Sequence, residues 1–209
     1  MCWIRFYPLN PCKTPQTCPP NTPKRKKHPN IKKTKSTFIA HDLFVSESNG
    51  KVNGIECSKY FKKSTDVFST LYRTGFIGSI TVLANRESIV EIGGFDETLS
   101  AGQDFDLWLK LLKQPDTTFY LFEEKLARYH RNKMGITANT DQRLNCTIRI
   151  AIRYFPTLKA ISSMAWFSFW YRITAVHFEA IRAYKNNGQI FKAITVLFKY
   201  PLSILSCSI

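Results

Sequence analysis

The chain has no apolar run long enough to cross a bilayer. Residues 161–171 make 11 before Arg172 ends the run, and residues 197–209 are broken by Lys199 and Pro201; a spanning helix needs about 20. No apolar stretch follows the basic start, so a cleaved secretory signal is not expected. Six cysteines are present without framework spacing, which argues against a disulfide scaffold. Cys12 and Cys18 lack a second pair at finger spacing, which argues against structural zinc. The expectation is a cytoplasmic protein with free thiols. Acids are missing altogether from residues 1–41, and Glu179 stands alone after residue 143.

What is present is unevenly distributed. Lys plus Arg is 30 and Asp plus Glu is 15, a net charge of +15 over 209 residues. Residues 1–41 hold nine basic residues; residues 42–143 hold thirteen basic and fourteen acidic; residues 144–209 hold eight basic. A nearly neutral middle between two basic arms does not describe a nucleic-acid domain, and the basic start also lacks interleaved aromatics. The composition is 44% apolar and 14% aromatic, enough to bury a core, so wholesale disorder is excluded.

Three segments follow. Residues 1–37 hold seven of the ten prolines and the cluster Lys24 to Lys27. Missing amide donors and like-charge repulsion predict a disordered basic segment there. Residues 38–140 mix strands and helices and predict an α/β class. Within them, 38–45 reads as a strand, Asn49-Gly50 as a hairpin turn, and 58–73 as one or two short helices. Residues 77–84 read as a strand buried on both faces, 86–92 as a helix stopped by Gly93-Gly94, and 104–113 as an amphipathic helix. Residues 118–122 and 126–129 read as two strands separated by Glu123, Glu124 and Lys125. Residues 141–209 read as a helical basic amphipathic extension, interrupted at Pro156 and at Asn186-Asn187-Gly188.

The stretch with most chemical content runs from Gly93-Gly94-Phe95-Asp96-Glu97 to Gln103-Asp104-Phe105-Asp106-Leu107-Trp108-Leu109-Lys110-Leu111. Two glycines free the backbone to turn, and two aspartates open an apolar helix. Acids in a first turn complement the helix dipole and satisfy its orphan amides, a purely structural account. The whole pattern resembles the signature of family 2 glycosyltransferases: a buried strand, Gly-Gly-Phe-Asp-Glu, a short loop, then Glu/Gln-Asp-x-Asp-Leu-Trp-Leu-Arg/Lys-Leu. The resemblance covers residues 38–140, including the hairpin at 42–54 and Tyr129-His130-Arg131.

The resemblance implies a partial GT-A fold followed by C-terminal helices, and an inverting transfer of a sugar from a nucleotide-sugar donor to an acceptor hydroxyl. Such chemistry needs a carboxylate for the hydroxyl proton and positive charge for the leaving group. The family's base matches Asp104, with Gln103 beside it. Asp106 lies off the face of Asp104 and at i,i+4 from Lys110, so it is assigned to the helix start. Trp108 is a candidate for stacking on a sugar, although Leu107, Trp108, Leu111 and Leu112 also make an ordinary core stripe. His130, Arg131 and Lys133 stand where the family contacts diphosphate.

The family also places a nucleotide-binding half, with an Asp-x-Asp holding Mg or Mn, ahead of the segment that begins at Phe38. Those ligands are absent from residues 1–37, so the chain alone is expected to show little turnover. A non-catalytic binding or scaffold role is the competing expectation. The expected partners are a nucleotide-sugar and a glycan or lipid-linked acceptor. Trp166, Phe167, Phe169, Trp170, Tyr171 and Phe178, interleaved with basic residues, offer an anionic membrane surface as a further partner at the inner face. Against that, burial of these aromatics against the α/β core is the favoured expectation.

Overall fold

The β-branched and aromatic residues after position 35 form the strand around which everything else is arranged. The computed structural model describes residues 3–5, 36–47, 50–62, 64, 66–75, 77–130 and 139–205. In β2 (Ser36–Ser46), residues 38–40, 42, 43, 45 and 46 are buried, so both faces of the strand are covered. β5 (Thr117–His130) runs parallel along one edge of β2 for its whole length. The other edge is shared between β4 (Leu83–Asn85), antiparallel at Phe38 and Ile39, and β3 (Val52–Ile55), antiparallel from Leu43 to Ser46. The β2–β3 connection is the expected hairpin: Gly50 has φ 82° and its N–H donates to the Glu47 carbonyl at 3.0 Å. Ser48 and Asn49 lie outside the described residues.

Helices pack on this mixed sheet. The short helices are α1 (Ser58–Phe61), α2 (Val67–Thr74) and α3 (Arg86–Glu91). α4 (Gln103–Leu112) brings Trp108 against Phe38, ring centroids 5.0 Å apart and nearly parallel at 24°. α5 (Thr140–Ile161), α6 (Ala165–Asn186) and α7 (Ile190–Leu205) follow. Ile150, Leu158, Phe169 and Ile173 share one core with Phe38, Leu71 and Trp108, so α5 and the first half of α6 belong to the same hydrophobic unit as the sheet. α7 is held by a smaller cluster of Ala180, Tyr184, Ala193 and Val196. The architecture is α/β, as the alternation of patterns predicts. Cys57 and Cys146 are buried and form no disulfide among the described residues.

Four local expectations need correcting. Residues 77–84 are not one strand: Ser79–Thr81 is a 3-10 turn closed by the Thr81 hydroxyl on the Gly78 carbonyl at 2.8 Å, and only Leu83–Asn85 pairs. Residues 118–122 and 126–129 are not two strands. β5 passes through Glu123–Lys125 with its register slipping, so that His41 faces Phe122, Asp42 faces Lys125 and Leu43 faces Ala127. The extra residues form an irregularity of the kind that bends a strand without ending it. Beside it, buried Asp42 accepts from Ser58 N at 2.9 Å and Ser58 Oγ at 2.6 Å. Pro156 does not interrupt α5, which is continuous over 22 residues. Proline in a helix interior costs about 3 kcal/mol, and here the burial of Tyr154 and Leu158 on either side holds the helix through it. Finally, Trp3–Arg5 forms β1, antiparallel to β4, inside the segment expected to lack elements. Trp3 and Ile4 are strand formers and precede the first proline. Residues 6–35 lie outside the described residues.

Candidate active site

The two glycines after α3 both adopt positive φ, 82° at Gly93 and 66° at Gly94, a region that only glycine enters freely. They reverse the chain so that Asp96 turns back over α5. Asp96 Oδ1 accepts from the Thr98 amide at 2.9 Å and the Thr98 hydroxyl at 2.7 Å, while Oδ2 meets Arg153 at 2.7 Å. The Thr98 donors and then Arg153 hold this carboxyl well below the usual carboxylate range. Arg153 also binds Asp106 Oδ1 at 2.7 Å, and Lys110 approaches Asp106 Oδ2 at 3.2 Å. Lys110 further donates to the Gly94 carbonyl at 3.2 Å. One arginine and one lysine therefore tie the glycine turn, the first turn of α4 and α5 into a single network. Asp106, fully buried, is its centre.

Asp104, two residues earlier, points elsewhere. Its Oδ2 accepts from Ser79 Oγ at 3.0 Å, and its Oδ1 accepts from the Phe105 amide at 2.8 Å. Each carboxylate oxygen has two lone pairs, so both oxygens retain capacity for a ligand hydroxyl. The 3-10 turn that breaks the expected strand at 77–84 is what presents Ser79. α4 opens on Gly102 at φ 74°, with Ile150 Cδ1 only 3.3 Å from where a Cβ would lie. Gln103 Nε2 donates to the Leu99 carbonyl at 2.6 Å, fastening the loop to the helix start.

Asp104 and Gln103 line a pocket of about 790 Å³, together with Ser79 and Phe105. Its other side is formed by α5 and α6, which contribute Arg143, Arg172 and Glu179. A half-buried carboxylate oriented by a hydroxyl donor, facing a space large enough for one or two sugar rings, is equipped to accept a proton from a bound hydroxyl.

The remaining candidates are placed differently. Asp106 meets Lys110 at 3.2 Å, the contact that the i,i+4 spacing predicts. Trp108 is completely buried against Phe38 and does not line the pocket, which corrects the stacking role: it lies on the sheet-facing side of α4. His130 ends β5, exposed opposite Ser46, and is not in the pocket wall. Arg131 and Lys133 lie outside the described residues. The sequence reading missed Ser79, Arg153 and Arg172. Only Arg172 left a signal, as the charge that ends an apolar run. Among the described residues, no group of three or more His, Cys, Asp or Glu is arranged to hold a metal ion. The described residues do not fit the divalent ion that the family resemblance implies.

The C-terminal helices correct a further expectation. Phe169 is buried, but Trp166, Phe167, Trp170, Tyr171 and Phe178 are exposed, and on α7 Phe191 and Phe198 are 88% and 73% exposed. A helix pair has one inward face, and here it is filled by Ile173, Val176, Ala180 and Tyr184 instead. Exposed Lys159 lies 5.8 Å from the ring centres of both Phe155 and Trp166, and Lys192 lies 5.6 Å from that of Tyr184. Among the described residues, no helix is long and apolar enough to cross a membrane. No family model, curated protein or solved structure matches the chain.

Proposed function

We propose that the chain supplies the acceptor side of a family 2-like glycosyltransferase of GT-A type, with Asp104 as the general base. The observation that carries this reading is the contrast within one helical turn. Asp106 is consumed by Arg153 and Lys110, whereas Asp104 faces the pocket and is oriented by Ser79. In the proposed step, an acceptor hydroxyl gives its proton to Asp104 as its oxygen bonds to the anomeric carbon. The bond from that carbon to the nucleotide diphosphate breaks, and the configuration inverts. Holding the nucleotide-sugar falls to a nucleotide-binding half of the family type, which the test below supplies. The acceptor is a glycan or a lipid-linked sugar, and the outward aromatics and lysines of α6 and α7 suit an anionic membrane surface that carries it.

The test is transfer by the chain joined to a family nucleotide-binding half, measured over a panel of sugar nucleotides and acceptors. Asp104→Asn should lower the rate at least a hundredfold, the scale of general-base catalysis, while donor binding stays within about twofold. Full activity of Asp104→Asn would refute the assignment. Acceptor binding without transfer by any pairing would favour the non-catalytic binding role.

A further inference from the structure

The pocket contains a buried charge with no described carboxylate in direct contact. Arg172 of α6 is 8% exposed, yet no carboxylate lies within ion-pair distance of it among the described residues. Its Nε is buried without a hydrogen-bond partner. Nη1 makes one long bond to the Thr74 carbonyl at 3.4 Å, and the guanidinium lies 4.6 Å from the centre of the Phe105 ring. Burial lowers its pKa to about 10, against the opposing influence of Glu179 and Tyr72. A buried cation with no carboxylate in direct contact is among the costlier features a fold can carry.

The surroundings are nonetheless shaped for it. Gly75, at φ 63°, closes α2 where a Cβ would sit 2.5 Å from Arg172 Nη1. The absence of a side chain there is what gives the guanidinium its place. Phe105, which it covers, is the residue after Asp104, so the cation and the candidate base meet at one end of α4. Arg143 of α5 lies in the same wall and forms no ion pair among the described residues. The wall also carries acids. Asp96 is neutralised by Arg153, Asp104 is partly exposed and accepts from Ser79 and from the Phe105 amide, and Glu97 and Glu179 are exposed, where solvent screens them. The buried guanidinium is screened least and acts most strongly on whatever enters.

We infer that this pocket takes a ligand bearing a phosphate or carboxylate group, gripped by Arg172 with Arg143 beside it. The guanidinium fork matches either oxyanion in bidentate geometry. The inference rests on the preceding reading for the sugar that carries the group, placing its free hydroxyl towards Asp104. The anion site itself stands independently of transfer. The acceptor class is then an acidic sugar: a sugar phosphate, including the phosphate end of a lipid-linked sugar, or a uronate.

The experiment is titration of the full 209-residue chain with inorganic phosphate, glucuronate and glucose at constant ionic strength, read by thermal unfolding and by calorimetry. Phosphate, glucuronate or both should raise the Tm saturably, whereas glucose and added chloride should not. Phosphate alone would identify a phosphorylated ligand, and glucuronate alone a uronate. Arg172→Met should weaken anion binding roughly tenfold or more, the scale of a charged hydrogen bond, with a ligand-free Tm at or above that of the unaltered chain. Arg172→Lys should bind with intermediate strength. The inference is overturned if neither anion binds, if Arg172→Met binds as the unaltered chain does, or if Arg172→Met melts well below it, which would make Arg172 a structural residue. Asp104→Asn should bind anions at least as tightly as the unaltered chain, because it removes a carboxylate from the same wall. Loss of transfer with anion binding kept therefore bears on the base, and loss of anion binding in Arg172→Met bears on this site.

Discussion

Arg153 and Arg172 occupy successive helices, α5 and α6, and flank the same helix start, but the fold treats them oppositely. Arg153 is partly exposed and holds two carboxylates, Asp96 and Asp106, each at 2.7 Å. Arg172 is more deeply buried and holds none. The aspartates of α4 divide in the same way. Asp106 is buried inside the network, whereas Asp104 is half-exposed and borrows one hydroxyl from Ser79. One side of the α4 N-terminus is therefore an architectural joint with its charges matched, and the other is a pocket with charges left unmatched. Unmatched buried charge is tolerated where a ligand completes it, because function and stability make different demands on the same residues.

The largest effect should come from breaking the joint. Arg153→Met leaves the buried Asp106 carboxylate with Lys110 alone and should cost about 3 kcal/mol, measured by urea unfolding. The same substitution at Arg172 should cost nothing, and equal losses at the two positions would erase the distinction. The smallest effect on stability should come from the outer face. Replacing Phe191 and Phe198 by Ser should change unfolding by no more than about 0.5 kcal/mol each, as for other surface substitutions. The pair should nevertheless reduce sedimentation with anionic vesicles and leave neutral vesicles unbound. A large loss of stability would instead place these rings in a packed interior.

Sequence reading recovered what depends on neighbours along the chain. The strand at 38–45, the Asn-Gly hairpin, the helix stop at Gly93-Gly94 and the amphipathic α4 all follow from local pattern and punctuation. Asp104 and Asp106 were separable because residues two apart on a helix cannot share a face. The failures all come from tertiary contacts. Pro156 reads as a break because the anchoring of Tyr154 and Leu158 is invisible in sequence. Glu123 to Lys125 reads as a connection because their pairing partner, β2, lies some eighty residues earlier. Ser79 reaches Asp104 across 25 positions and Arg153 reaches Asp106 across 47, distances over which no periodicity carries a signal. The outward aromatics of α6 misled for a related reason: amphipathicity shows that two faces differ, but the partner decides which one is covered.

The division of labour within α4 is tested most directly by replacing each aspartate with asparagine and measuring unfolding free energy side by side. Asp106→Asn should lose about 2 kcal/mol or more, since Arg153 loses a charged hydrogen-bond acceptor and Lys110 loses its ion-pair partner. Asp104→Asn should lose less than about 1 kcal/mol, because an amide oxygen can still accept from Ser79. Comparable losses at both positions, or a larger loss at Asp104, would show that Asp104 belongs to the joint and would contradict the account.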